Sequence, residues 1–111
     1  MIYPKHGRAK SRAYLDAACG QECTLQIPGI CVCDPAQSQA AHLRLFSMTG
    51  VGHKPHDFLT VDACTPCHRI LDKRDLWEQA GLQWRHVLQA LMITLDRRYQ
   101  AGLITLKGSR K

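Results

Sequence analysis

Residues 62–75 read DACTPCHRILDKRD, and the C-x-x-C-H string at Cys64–His68 decides how the rest of the chain is read. The string suits three chemistries: covalent haem attachment, a dithiol redox pair, or half of a zinc site with a histidine left over. Haem attachment belongs to export compartments. The first twenty residues, MIYPKHGRAKSRAYLDAACG, are basic but hold no apolar run of signal-peptide length. Haem would also leave four more cysteines unexplained. A redox pair is expected within a βαβ pattern, and none surrounds this one. Zinc is the better reading, with Cys64 and Cys67 as one half of a four-ligand site.

The other half lies upstream. Cys23 and Cys31 bracket TLQIPGI, where Pro28-Gly29 can turn the chain back. This pair completes the expected Cys₄ site. Cys19 and Cys33 are the spare candidates, and otherwise read as small buried apolar residues. A chain of 111 residues buries only about two-thirds of its unfolded surface. Bound zinc contributes on the order of 10 kcal/mol to folding, which would offset so thin a core.

The formal net charge is +6, and its placement is uneven. Lys5, Arg8, Lys10 and Arg12 sit at one end and Arg97, Arg98, Lys107, Arg110 and Lys111 at the other, with no acid among either group. Residues 13–96 therefore sum to −3. Two basic ends around an acidic centre suit a polyanion held over a metal, although basic tails also serve solubility alone. No segment approaches the ~20 apolar residues of a membrane span. The expectation is a cytoplasmic protein with reduced thiols and no membrane partner.

Residues 1–11 read as a flexible basic arm. Ser11 caps an expected helix over 12–19, stopped by Gly20. Alternation in QSQAAHLRLF predicts a strand over 39–45, and DFLTVDA a second. A loop with two Gly and one Pro separates them. Thr65-Pro66 is a helix-start signal for 66–80, ending at Gly81. Trp84, Val87, Leu88, Leu91, Met92, Leu95 and Tyr99 mark one apolar face of a helix over 82–100. That helix is most simply a core element, and LITLKGSRK begins like a strand.

On a helix, His68 and Asp72 stand at i and i+4 and share a face. They can hold one divalent ion outside the Cys₄ site, or simply hydrogen-bond each other. His42 lies in the apolar strand AAHLRL with Arg44 two residues on, on the same face. A core histidine is the ordinary reading. A general base beside a phosphate contact is the other. His53 and His56 read as solvated loop residues.

The ordered set of a Cys pair, Ala41-His42, a Gly-containing loop, Asp57, Cys64-x-x-Cys67-His68 and Asp72 resembles the HNH endonucleases. These form the ββα-metal, or His-Me finger, class, here in its zinc-stapled form. More narrowly, ECTLQIPGIC, AHLRL and GHKPHDFLTVDACTPCHRILDKR resemble small phage and prophage HNH-like proteins related to a phage recombination-enhancing nuclease. The resemblance spans roughly residues 12–82, with 83–111 as a C-terminal amphipathic helix and basic tail of the same domain. It implies a small α+β, treble-clef-like ββα-metal fold with an added C-terminal helix.

The resemblance also implies metal-dependent hydrolysis of DNA phosphodiesters in phage or prophage recombination, with a recombinase filament as a further partner. His42 takes the general-base position, Asp57 the place of the family's middle Asn, and His68 with Asp72 the catalytic ion. Mg²⁺, Mn²⁺ or a second Zn²⁺ would suit that pair. Arg44, Arg69, Lys73 and Arg74 would contact flanking phosphates. Many family members carry a metal ligand just before the base, where this chain has Ala41. The alternative is a non-catalytic zinc-binding module for DNA or protein.

Overall fold

The computed structural model describes residues 7–44 and 55–110. His53, the arm before residue 7 and the loop between the two expected strands, from residue 45 to 54, lie outside the described residues. The elements in order are α1 (Arg12–Asp16), β1 (Gln39–His42), β2 (Thr60–Ala63), α2 (Thr65–Leu71), α3 (Trp77–Ala80) and α4 (Trp84–Gln100). A small α+β domain results, with a two-stranded antiparallel sheet and a long C-terminal helix.

β1 and β2 pair antiparallel, with Gln39 opposite Ala63 and His42 opposite Thr60. Every residue of β2 is buried, because the strand is covered on both faces. Side chains alternate along a strand. Val61 and Ala63 therefore join the apolar core with Ala41, Leu71, Trp77, Leu82, Val87 and Ala90. Cys23, Cys64 and Cys67 belong to that same cluster, so the cysteine centre and the core are one body.

Asp62 takes the other face and is fully buried. Arg98 meets it with two hydrogen bonds, Nη2 to Oδ1 at 2.5 Å and Nη1 to Oδ2 at 3.1 Å. Arg98 Nε also donates to the Tyr14 carbonyl at 2.9 Å, which ties α1 to α4. Arg97 adds a bond to Asp62 Oδ2 at 3.1 Å and one to the Glu22 carbonyl at 2.8 Å. The Thr94 hydroxyl accepts from the Asp62 N–H at 3.2 Å. Buried Arg98 and half-buried Arg97 are therefore tied to Asp62, and are not part of a free basic end.

This network changes which face of α4 is inside. Val87, Ala90, Thr94 and Arg98 are buried, whereas Leu88 and Met92 are 59% and 62% exposed. Of the seven residues expected on one apolar face, Val87 is buried and Leu91 packs against the core, whereas Trp84, Leu88 and Met92 turn outward. A buried carboxylate must be paired, so Arg98 and Thr94 set the helix orientation against the pull of the larger apolar residues.

The helix expected over 66–80 is also divided. α2 ends at Leu71, a 3₁₀ turn covers Arg74–Leu76, and α3 follows. The Trp77 indole N–H donates to the Leu71 carbonyl at 3.2 Å and satisfies an acceptor that the helix end leaves open. Cys64 rather than Thr65 occupies the N-cap, with Pro66 in the first turn. Ser11 caps α1 as its sequence suggests, its hydroxyl accepting from the Tyr14 N–H at 3.1 Å. α1 stops at Asp16, short of residue 19, and turns lead to Gly20. No strand forms in 103–110, which runs through turns instead.

Candidate active site and metal centre

The four cysteines expected to bind zinc come together. The Sγ atoms of Cys23, Cys31, Cys64 and Cys67 all lie within 4.8 Å of one another. A tetrahedral Zn–S₄ centre with 2.3 Å bonds needs sulfurs about 3.8 Å apart. Cys31 and Cys64 are 3.8 Å apart. The backbone N–H of Gln26 points at Cys23 Sγ at 3.5 Å, and that of Cys33 at Cys31 Sγ at 3.4 Å. Such donors suit thiolates. The residues fit the metal, and the cluster is consistent with a structural zinc.

The thiols influence one another strongly. A hydrogen bond from Cys67 brings Cys23 down to about 4, against the opposing effect of burial. That same contact pushes Cys67 up, with burial adding to it, and burial pushes Cys31 up to about 12. Metal binding would release the protons that the clustered thiols still hold. Cys19 and Cys33 are exposed rather than buried, which corrects the expectation of small core residues. Cys33 sits beside the centre, 3.9 Å from Cys31 Sγ, because its backbone takes a left-handed φ of 55°.

His42 closes β1, and Asp57 precedes β2 at the same end of the hairpin. His42 Nε2 lies 2.9 Å from Asp57 Oδ1, with the two side chains 10% and 6% exposed. Asp57 also accepts from Arg8 Nη1 at 2.8 Å and from the Ser11 N–H at 2.8 Å. Burial alone would raise this carboxyl. The His42 and Ser11 hydrogen bonds and the charges of Arg8 and His42 outweigh it and hold the group below the usual carboxylate range. A carboxylate only accepts, so the Nε2 facing Asp57 carries a proton, and Nδ1 is the nitrogen left facing away from it.

Arg8 is a residue that its place in a basic stretch concealed. Residues 8–11 are drawn against the Asp57 turn. The Asp57 N–H donates to the Ala9 carbonyl at 3.0 Å, and the Ala9 N–H to His56 Nδ1 at 2.8 Å. His56 also stacks on Phe58 with centroids 4.9 Å apart, so it is a packed residue rather than a solvated one. Only the sequence-distant pairing of Arg8 with Asp57 could have revealed this, and no local pattern encodes it.

His68 and Asp72 meet as their spacing requires, with Nε2 to Oδ2 at 3.2 Å. Among the described residues, the four cysteines are the one group of three or more candidate ligands within metal reach. His68 and Asp72 therefore remain a pair. Ala41 is fully buried in the core and offers no ligand atom. Arg44, Arg69 and Lys73 are exposed. Arg74 is exposed as well, but its guanidinium is stacked over the rings of Trp77 and Trp84, at 4.6 and 4.4 Å.

Fold and centre together define a small α+β domain built around a four-cysteine cluster that suits a zinc ion. Residues 12–102 match the family described as "Putative nuclease YbcO", and the chain belongs to that family. It is 38% identical over 78 residues to the "Putative nuclease YbcO" of Escherichia coli K12, covering 70% of this chain and 81% of that protein. The same figures hold for the protein of that name from Enterobacteria phage 82. A solved structure, "Structure of a putative bacteriophage protein from Escherichia coli str. K-12 substr. MG1655", superimposes with a TM-score of 0.63 at 31% identity. It covers 80% of this chain and 99% of its own. The chain is thus a phage-related member of a nuclease family. Among the described residues, no helix is long and apolar enough to cross a membrane.

Proposed function

We propose that this protein is an HNH-type, metal-dependent DNA endonuclease acting in phage or prophage recombination. The observation that carries the proposal is the His42–Asp57 pair, with Nε2 2.9 Å from Oδ1, in a chain of a nuclease family. Asp57 is held by Arg8 and the Ser11 N–H, and in turn holds the His42 ring. That orientation leaves Nδ1 to accept a proton from an attacking water. His68 and Asp72 are two donors for a divalent ion whose remaining positions water and phosphate would fill, as suits Mg²⁺ or Mn²⁺. A second Zn²⁺ would also accept this donor pair. When bound, the ion supplies charge stabilisation at the scissile phosphate and leaving oxygen.

Arg44, Arg69 and Lys73 would neutralise flanking phosphates and make binding fall with salt. Arg74 would contribute from its place against the two indoles. The 12–82 nuclease region and α4 with its tail, residues 83–111, act as one domain in this proposal. A recombinase-coated strand is the preferred substrate to test alongside naked DNA.

The test is nicking of supercoiled plasmid with Mg²⁺ or Mn²⁺, comparing wild type with His42→Ala. Wild type should nick, and the variant should be slower by about 10²–10⁴-fold. Equal rates would remove His42 from the chemistry. A second reading, a zinc-binding module that binds DNA or protein without cutting, draws on buried Ala41 and on the direct His68–Asp72 contact. DNA retention without nicking by either protein would favour it.

A further inference from the structure

One side of α4 is turned away from β2 and remains apolar. Leu88, Met92 and Ile93 are exposed there, and with Arg85, Gln89 and Asp96 they line one shallow groove. Arg85 and Asp96 are eleven positions apart, about three helical turns, so they lie on the same face at opposite ends of the stripe. The stripe is complementary to its own reverse. About a two-fold axis between Ala90 and Leu91, Arg85 falls opposite Asp96, Leu88 opposite Ile93, and Gln89 opposite Met92. Isologous contacts have this form, in which one residue meets a second and that second meets the first.

We propose that this stripe is a homodimer interface, with α4 packed antiparallel on α4 of a second copy. An apolar seam of Leu88, Met92 and Ile93 would be closed at each end by an Arg85–Asp96 pair. Parallel pairing would place Arg85 on Arg85 and Asp96 on Asp96, so the charges select the antiparallel arrangement. A membrane-surface helix would instead carry a strongly basic polar flank. This stripe has one base and one acid. Seventeen residues of helix extend only about 26 Å, so the seam is smaller than the ~800 Å² per partner of a standard interface. Association should therefore be weak, with Kd on the order of 10 µM.

Sedimentation velocity from about 1 µM to 1 mM, at low salt, tests this on the full chain. Wild type should pass from monomer to dimer. Leu88→Glu should remain monomeric with an unchanged melting temperature, since Leu88 lies outside the core. R85D and D96R should each weaken association about tenfold or more, by turning two attractive pairs into repulsive ones. The double variant R85D/D96R should recover it, and a 1:1 mixture of the single variants should associate more tightly than either alone. A monomer at every concentration, dimers indifferent to Leu88→Glu, or a double variant as weak as the singles would each overturn the proposal. So would vesicle binding by this face without self-association.

Discussion

Asp57 is a buried carboxylate on which a histidine, an arginine and a backbone N–H converge. Its depressed pKa makes it a source of stability with a defined pH window. The stabilisation is fully present above the ordinary carboxylate value near 4, and is lost as pH falls through the lower folded value. Asp57→Asn keeps an acceptor for His42 but removes the charge facing Arg8. It should be less stable by about 1–3 kcal/mol at neutral pH. That gap should hold down to about pH 5 and close below about pH 4. Urea unfolding at neutral and acid pH checks this, and a gap independent of pH would show that the Asp57 charge stabilises nothing. The sequence made His42 and Asp57 candidates but could not show their contact or the part of Arg8. The intervening turn and the approach of residues 8–11 are tertiary facts.

At the scale of elements, β2 and α4 are locked by Asp62 with Arg97 and Arg98. Arg98→Met would leave buried Asp62 with Arg97 as its remaining cation, and should cost up to about 3–5 kcal/mol. Replacing Asp62 by Asn in the same chain should return part of that loss, because the under-paired charge is gone. A double-mutant cycle by denaturant unfolding measures the coupling, and additive losses would show that the pair is not one unit. Helical periodicity did locate α4, since a long run at 3.6-residue spacing is a strong local signal. It placed Val87 and Leu91 inward correctly and Trp84, Leu88 and Met92 wrongly. The largest apolar residues suggested one orientation, and a single buried carboxylate on another strand required a different one. The break after Leu71 has no local signal for a similar reason, since the indole of Trp77 folds back to close α2.

For the molecule as a whole, the cysteine centre and the apolar core are continuous, so removing a ligand should undo the fold. Cys64→Ala should abolish cooperative unfolding and zinc retention, and a strong chelator should do the same to wild type. Metal analysis should give one tightly held zinc per chain. His68→Ala should keep the wild-type circular dichroism and zinc content while losing plasmid nicking. Equal loss of thermal stability in Cys64→Ala and His68→Ala would make His68 a structural residue.

Cys64-x-x-Cys67 by itself marked half of a four-thiol centre, because C-x-x-C is a short zinc-ligand spacing, and the tertiary structure chose Cys23 and Cys31 over Cys19 and Cys33 for the other half. Short spacing likewise marked His68 and Asp72, which one helical turn brings together. Tertiary structure alone decided the rest. It paired Asp57 with Arg8, turned Arg98 inward, and left Leu88 and Met92 outside. Each of these depends on charge buried between segments far apart in the chain, where the cost of an unpaired group exceeds what local periodicity contributes.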